Sequence, residues 1–169
     1  DIFAFVAKTK MLPKTSAPSI EDYKVFFAAQ TKNGDEVVHF NISSKASASH
    51  SCALAAAKEF DGKVRVVDSL ALSSGQGLLV MKAADLRDEG LSAEEIERRV
   101  NALRLKVNTS FVPDRLDYLY KGGRCSRMEM YGANILKIHP MIDMKDGQLG
   151  VKKKYRGKMT VCIRAYIDD

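Results

Sequence analysis

Residues 36–69 read EVVHFNISSKASASHSCALAAAKEFDGKVRVVDS, and the order of patterns within them decides the fold. EVVHFNI, 36–42, alternates apolar and polar residues as a strand does. SSKASAS follows as a hydroxyl-rich loop, and the alanine-rich run behind it predicts a helix that ends near Phe60. VRVVDS, 64–69, is short and almost continuously apolar, as a strand buried on both faces must be. Strand, helix and strand in that order form a crossover unit with parallel strands.

The same alternation extends in both directions. Upstream, PKTSAPS is a loop by its Pro, Ser and Thr content. Ser19 and Asp22 then stand at capping-box spacing, and Ile20, Tyr23, Phe26 and Phe27 form an apolar stripe on a helix that NGD, 33–35, ends. Downstream, SSGQG reads as a loop before a helix from about Leu78 to Glu89, closed by Gly90. Ser92 and Glu95 repeat the cap spacing, with Ile96, Val100 and Leu103 on one helical face. VNTSFV, 107–112, reads as a strand, and DRLDYLYK as a short helix broken by Gly122 and Gly123.

These alternations predict an α/β domain over 1–124, with a parallel sheet and serine-rich loops. Beyond it the pattern changes. Ser126 with Glu129 begins another helix, PMIDM and QLGVKKKY pair around an Asp-Gly turn, and MTVCIRAYIDD is helical with no cap behind it. Residues 125–169 therefore read as the start of a second, smaller α+β domain, and the whole as a fragment of a longer two-domain protein.

Composition bounds the chemistry. The chain has 169 residues, 46% of them apolar, enough for a sizeable core. No run approaches the roughly 18 apolar residues of a membrane span, and the opening DIFAFVAKTKMLP carries its charge on the wrong side for a signal peptide. Cys52, Cys125 and Cys162 are odd in number and widely spaced, against a disulfide framework or a structural zinc. A cytoplasmic, reduced protein is expected. The net charge of +6 is concentrated in Lys145, Lys152, Lys153, Lys154, Arg156 and Lys158, a tract open to phosphate, lipid head groups or an acidic partner when it is not simply a solvated face.

No catalytic or metal-binding pattern is present. GQG at 75–77 lacks the third glycine of a dinucleotide loop, no phosphate loop or H-E-x-x-H occurs, and His39, His50 and His139 lack metal-ligand spacing. No nucleophile elbow is found either. Two hydroxyl-rich loops remain at the carboxyl side of the predicted sheet: Thr15-Ser16, and the run Ser43, Ser44, Ser47 and Ser49. Such loops at helix N-termini either bind an anion or cap the helices that follow. YKGGRCS, 120–126, likewise reads as a helix stop with a solvated arginine, or as a turn holding Arg124 for a purpose.

In combination, TSAPS at 15–19, ISSKASASHSCA at 42–53, VVDSLALSSGQGLLV at 66–80, FVPDRLDYLYKGGRCS at 111–126, ILKIHPMIDMKDGQL and YRGK resemble the DegV family of bacterial fatty-acid-binding proteins. The resemblance covers nearly the whole chain, and F-V-x-D-x-L-x-x-L-x-K-G-G-R-x-S is its most specific part. It implies a protein that buries one long-chain, palmitate-like fatty acid between two domains. It also implies a binding subunit of fatty acid kinase, which presents the carboxyl group to a separate ATP-using subunit for acyl phosphate formation and is not itself an enzyme. No cofactor is implied beyond the bound lipid, and no nucleic acid partner.

Carried over by motif, the head group meets Thr15, Ser16, Ser47, the backbone N–H groups of Ala48 and Ser49, and Arg124 from the domain junction. Three departures stand out. The family's Ser-Gly-Thr is Ser47-Ala48-Ser49 here, and His139 occupies a position where lysine is common. The chain also starts after the family's first strand with its Asp-Ser segment, and stops before the C-terminal part that carries a further head-group residue.

The demands of such a ligand agree with these residue types. Burying ~15 methylenes contributes about 12 kcal/mol before ordering costs. A buried carboxylate must instead be paired or protonated, and the planar fork of an arginine can supply two parallel donors. Leu78, Leu79, Met128, Met130, Ile135, Leu136, Met141 and Ile142 are candidates for an apolar lining, or for ordinary core. The basic tract suits the kinase subunit or transient contact with an anionic membrane. An alternative reading makes the chain a basic nucleic-acid or anion-binding module, although Tyr155 is the only aromatic residue interleaved in the tract.

Overall fold

The computed structural model describes residues 1–114, 116–124 and 138–169. Helix α1, Ile2–Thr9, precedes an irregular segment that leads to α2, Ile20–Gln30. The capping box that starts α2 is complete: Ser19 Oγ accepts from Asp22 N–H at 3.1 Å, and Asp22 Oδ2 accepts from Ser19 N–H at 2.8 Å. The Ser19 hydroxyl also donates to Asp22 Oδ2 at 2.7 Å, and this bond, followed by that from Ser19 N–H, holds the Asp22 carboxyl below its usual value.

The predicted crossover is present. Strand β1, Val37–Asn41, pairs in parallel with β2, Val64–Asp68, across helix α3, Ser49–Ala57. Alternation along the strands separates two cores. Val64 and Val66 join Tyr23, Phe27, Ala53 and Ala56 beneath α2 and α3. Val67, with Val38 and Phe40, packs on the opposite face against Leu79, Ile96 and Val100 of α4, Ser73–Asp88, and α5, Ala93–Leu103. The sheet is thus covered by helices on both sides, the arrangement that parallel strands require.

Three local expectations are revised. Helix α4 begins at Ser73, so SSGQG is its first turn and not a preceding loop. Gly75 is there because a Cβ would stand 1.9 Å from Thr109 Oγ1. The stripe on α2 is narrower than its periodicity implies, since Tyr23 and Phe27 are buried whereas Ile20 and Phe26 are exposed. Finally, VNTSFV yields a two-residue strand, β3, Ser110–Phe111, that leaves the parallel sheet and pairs antiparallel with β4, Ile138–Lys145.

Strands β4 and β5, Gln148–Arg156, form the expected hairpin. Its turn residues Asp146 and Gly147 both have positive φ, 50° and 79°, as the tightest right-twisted hairpin connection needs. Ile142 packs with Leu116 on one face, next to α6, Asp117–Lys121; Met141, Tyr155 and Cys162 form the other core under α7, Met159–Ile167. The helix expected from Ser126 and the boundary near 125 lie outside the described residues.

Candidate functional site

The carboxyl ends of β1 and β2 open into two loops that are bonded to each other. Asp68, the last residue of β2, accepts from Ser44 N–H at 3.1 Å and from Leu70 N–H at 3.0 Å through the same oxygen. Burial pushes its carboxyl upward, but the bonds from Ser44 and Leu70 and the nearby His50 outweigh this and hold it below its usual value. Ser69 N–H donates to Asn41 C=O at 3.2 Å, and Arg104 Nη1 donates to Asp68 C=O at 2.9 Å. The β1 loop is therefore anchored on the β2 loop before α3 begins.

On that anchored loop the hydroxyls of Ser47 and Ser49 stand 2.8 Å apart, and Ser49 N–H donates to Ser47 Oγ at 3.2 Å. Ser47 therefore does cap the first N–H of α3. The Ala48 N–H, on an exposed residue between them, has no partner among the described residues. Two hydroxyls and one unpaired N–H at the positive end of a nine-residue helix form a niche suited to a carboxylate or phosphate oxygen.

The sequence model of a family described as uncharacterised proteins of the DegV family matches residues 1–166. The chain belongs to the DegV family. A DegV domain-containing protein of Clostridium acetobutylicum is 36% identical over 148 residues, which is 87% of this chain and 53% of that protein. A fatty-acid-binding DegV family protein from Thermus thermophilus superposes with a TM-score of 0.85 at 30% identity, over 99% of this chain and 61% of its own. A Thermotoga maritima protein with a fatty acid binding function does so at 0.82 and 30%, over 99% and 58%. The chain thus has the DegV α/β fold and spans little more than half the length of the DegV relatives it matches.

Among the DegV motif residues, the structure brings Ser47, Ala48 and Ser49 together and leaves Thr15 and Ser16 exposed on the segment between α1 and α2. Arg124 is exposed, and its Nη1 donates to Gly122 C=O at 2.6 Å, inside its own turn. Of the paired glycines only Gly123 has positive φ, 73°; at Gly122 a Cβ would crowd Tyr118 C=O at 3.0 Å. The candidate lining divides as well: Leu79, Met141 and Ile142 are core, Leu78 is exposed, and Met128, Met130, Ile135 and Leu136 lie outside the described residues.

Sequence reasoning passed over Asp68 and Arg104, which organise the loop by backbone bonds that no motif spacing announces. It also treated the basic tract as uniform. All four cations are exposed, but Lys153 bonds Asp169 at 2.5 Å and lies over the Tyr155 ring, and Lys152 is 3.9 Å from Asp143, whereas Arg156 and Lys158 have no ion pair among the described residues. Among the described residues no helix is long and apolar enough to cross a membrane, and no cluster of His, Cys, Asp or Glu could hold a metal ion.

Proposed function

We propose that this chain is the head-group-binding part of a long-chain fatty acid carrier. The observation that carries this reading is the Ser47 and Ser49 hydroxyl pair flanking the unpaired Ala48 N–H at the start of α3. A fatty carboxylate seated there replaces the Ser47–Ser49 hydroxyl bond and accepts from both hydroxyls and from that N–H, while the helix end favours its negative charge. Thr15 and Ser16 approach from the α1 to α2 segment, and Arg124 swings from its turn to complete the charge pairing. The acyl chain is buried between this part and the remainder of the protein. The methyl of Ala48, where the family has glycine, narrows the approach to the N–H.

The protein presents the carboxyl group to a separate ATP-using kinase subunit, which forms the acyl phosphate; the chain itself binds and does not catalyse. The exposed cations Arg156 and Lys158 suit that subunit or an anionic membrane during lipid exchange. Purified full-length protein extracted with organic solvent should release about one long-chain fatty acid per chain by mass spectrometry. Ser47→Ala should reduce that yield. Lipid-free wild-type protein that also fails to take up palmitate overturns the reading, and tight, strongly salt-dependent binding of nucleic acid would favour the anion-binding alternative.

A further inference from the structure

Ser43 is fully buried and uses every polar atom it has. Its N–H donates to Ala71 C=O at 2.8 Å, and its carbonyl accepts from Ala46 N–H at 2.9 Å and Ser47 N–H at 3.2 Å. Its hydroxyl accepts from Lys45 N–H at 3.3 Å and donates to Gly147 C=O at 2.6 Å. One residue thus joins the exit of β1, the exit of β2 and, through its hydroxyl, the turn of the β4–β5 hairpin, 104 residues away.

The seat is tight from the other side too. Gly147 is buried, and a Cβ on it would stand 2.6 Å from Ser43 Oγ and 2.9 Å from Leu70 Cδ2. Leu70 holds a left-handed backbone, φ 51°, which a branched residue adopts only when its surroundings impose it. The imposition is visible: its N–H is tied to Asp68 and its side chain lies against the turn. The second sheet is thus keyed to the loop carrying Ser47 and Ser49.

We propose that Ser43 is a positioning residue for the head-group niche, and that the turn seated on it couples occupancy of the niche to strand β5. This rests on the fatty-acid reading above. A carboxylate that orders Ser47 and Ser49 also orders Ser43 through the Ser47 N–H, and Ser43 passes this through its hydroxyl to Gly147 and the first residues of β5. The coupling is carried by two hydrogen bonds in series, so removing the second should disconnect the two regions.

Hydrogen exchange of the full-length protein with and without palmitate tests this. In wild type, palmitate should slow exchange at 43–50 and at 145–156. Ser43→Ala should bind palmitate about threefold to tenfold more weakly, the scale of one lost hydrogen bond. At saturation it should still protect 43–50 but no longer 145–156, a split that general destabilisation does not produce. If Ser43→Ala does not fold, Leu70→Ala should give the same split, because it empties the seat of the turn and leaves the hydroxyl. Protection of 145–156 that survives in the folded variant, or never arises in wild type that binds palmitate, overturns the proposal. If wild type binds no palmitate, the fatty-acid reading fails, and with it the niche that Ser43 is proposed to position. The hydroxyl link is still measurable then, since Ser43→Ala should raise exchange at 44–47 and 146–148 together; a rise at only one of them overturns the link as well.

Discussion

The imidazole of His39 stands edge-on to the ring of Tyr23, with centroids 5.4 Å apart and planes at 74°. Phe26 and Phe27 present their rings to the same imidazole at 6.2 and 5.2 Å. Burial among these rings pushes the His39 pKa below its usual value, and His50 adds to the effect. Protons therefore bind the unfolded chain more readily than the folded one. The stability this contributes is complete above about pH 6.5 and is lost as pH falls toward the depressed folded value. Urea midpoints between pH 7.5 and 5 should fall with a shallower slope in His39→Phe than in wild type.

Of the two glycines of α4, Gly75 is crowded and Gly77 is open. Gly75→Ala should cost about 1–3 kcal/mol, because its Cβ would occupy the space of Thr109 Oγ1. Thr109 is buried and its carbonyl accepts from Met144 N–H at 2.9 Å, so it cannot simply move aside. Thermal unfolding of Gly75→Ala with Thr109→Ala should recover part of the loss, and strict additivity of the two changes would exclude this contact as the cause.

What was legible in the sequence was local. Ser19 and Asp22 close their capping box within one turn, and the patterns of 36–42 and 64–69 carry the parallel pair directly. Ser92 does accept from Glu95 N–H at 3.3 Å, but the Glu95 carboxylate turns to Arg98 and Arg99, which pull its pKa down to about 2. The misreadings are non-local. SSGQG reads as a breaker unless Thr109 is known to fill the missing side chain of Gly75, and nothing near Ser110 says that its partner is Asp143. In the candidate site the serines were legible as a hydroxyl loop, whereas the Ser43 to Gly147 bond spans 104 residues and leaves no spacing to read.

Arg124 is exposed and bonded only to its own turn among the contacts described for its guanidinium. Arg124→Ala should therefore leave thermal stability nearly unchanged and weaken palmitate binding about tenfold or more, the consequence of leaving a buried carboxylate short of its charge partner. Titration of the full-length variant checks both halves. Unchanged affinity would remove Arg124 from the site.

The basic tract holds both paired and unpaired charge, with Arg156 at the end of β5 and Lys158 beyond it having no ion pair among the described residues. Lys153 and Tyr155 both bond Asp169, and Tyr155 has its pKa raised to about 12 by that carboxylate and by burial. Reversing Lys153 would release Asp169, just beyond α7, as well as alter the surface. Arg156→Glu with Lys158→Glu avoids this and, on the kinase-docking role proposed above, should reduce acyl phosphate formation while palmitate binding is retained. An equal loss of both activities would place these cations at the lipid instead.

Among the described residues β1 has a strand neighbour on one side only, and along its other side runs an open groove of ≈ 450 Å³ lined by Val37, Val38, Phe40, Ala84, Leu91 and Ile96. A bare strand edge beside an apolar trough is a template for another chain, and Glu36, which accepts from Ala93 N–H at 3.5 Å, and Arg87 are the charged residues in its lining. A 169-residue preparation is therefore expected to self-associate as it is concentrated. Its light scattering should grow faster once Glu36→Val removes a carboxylate from the lining.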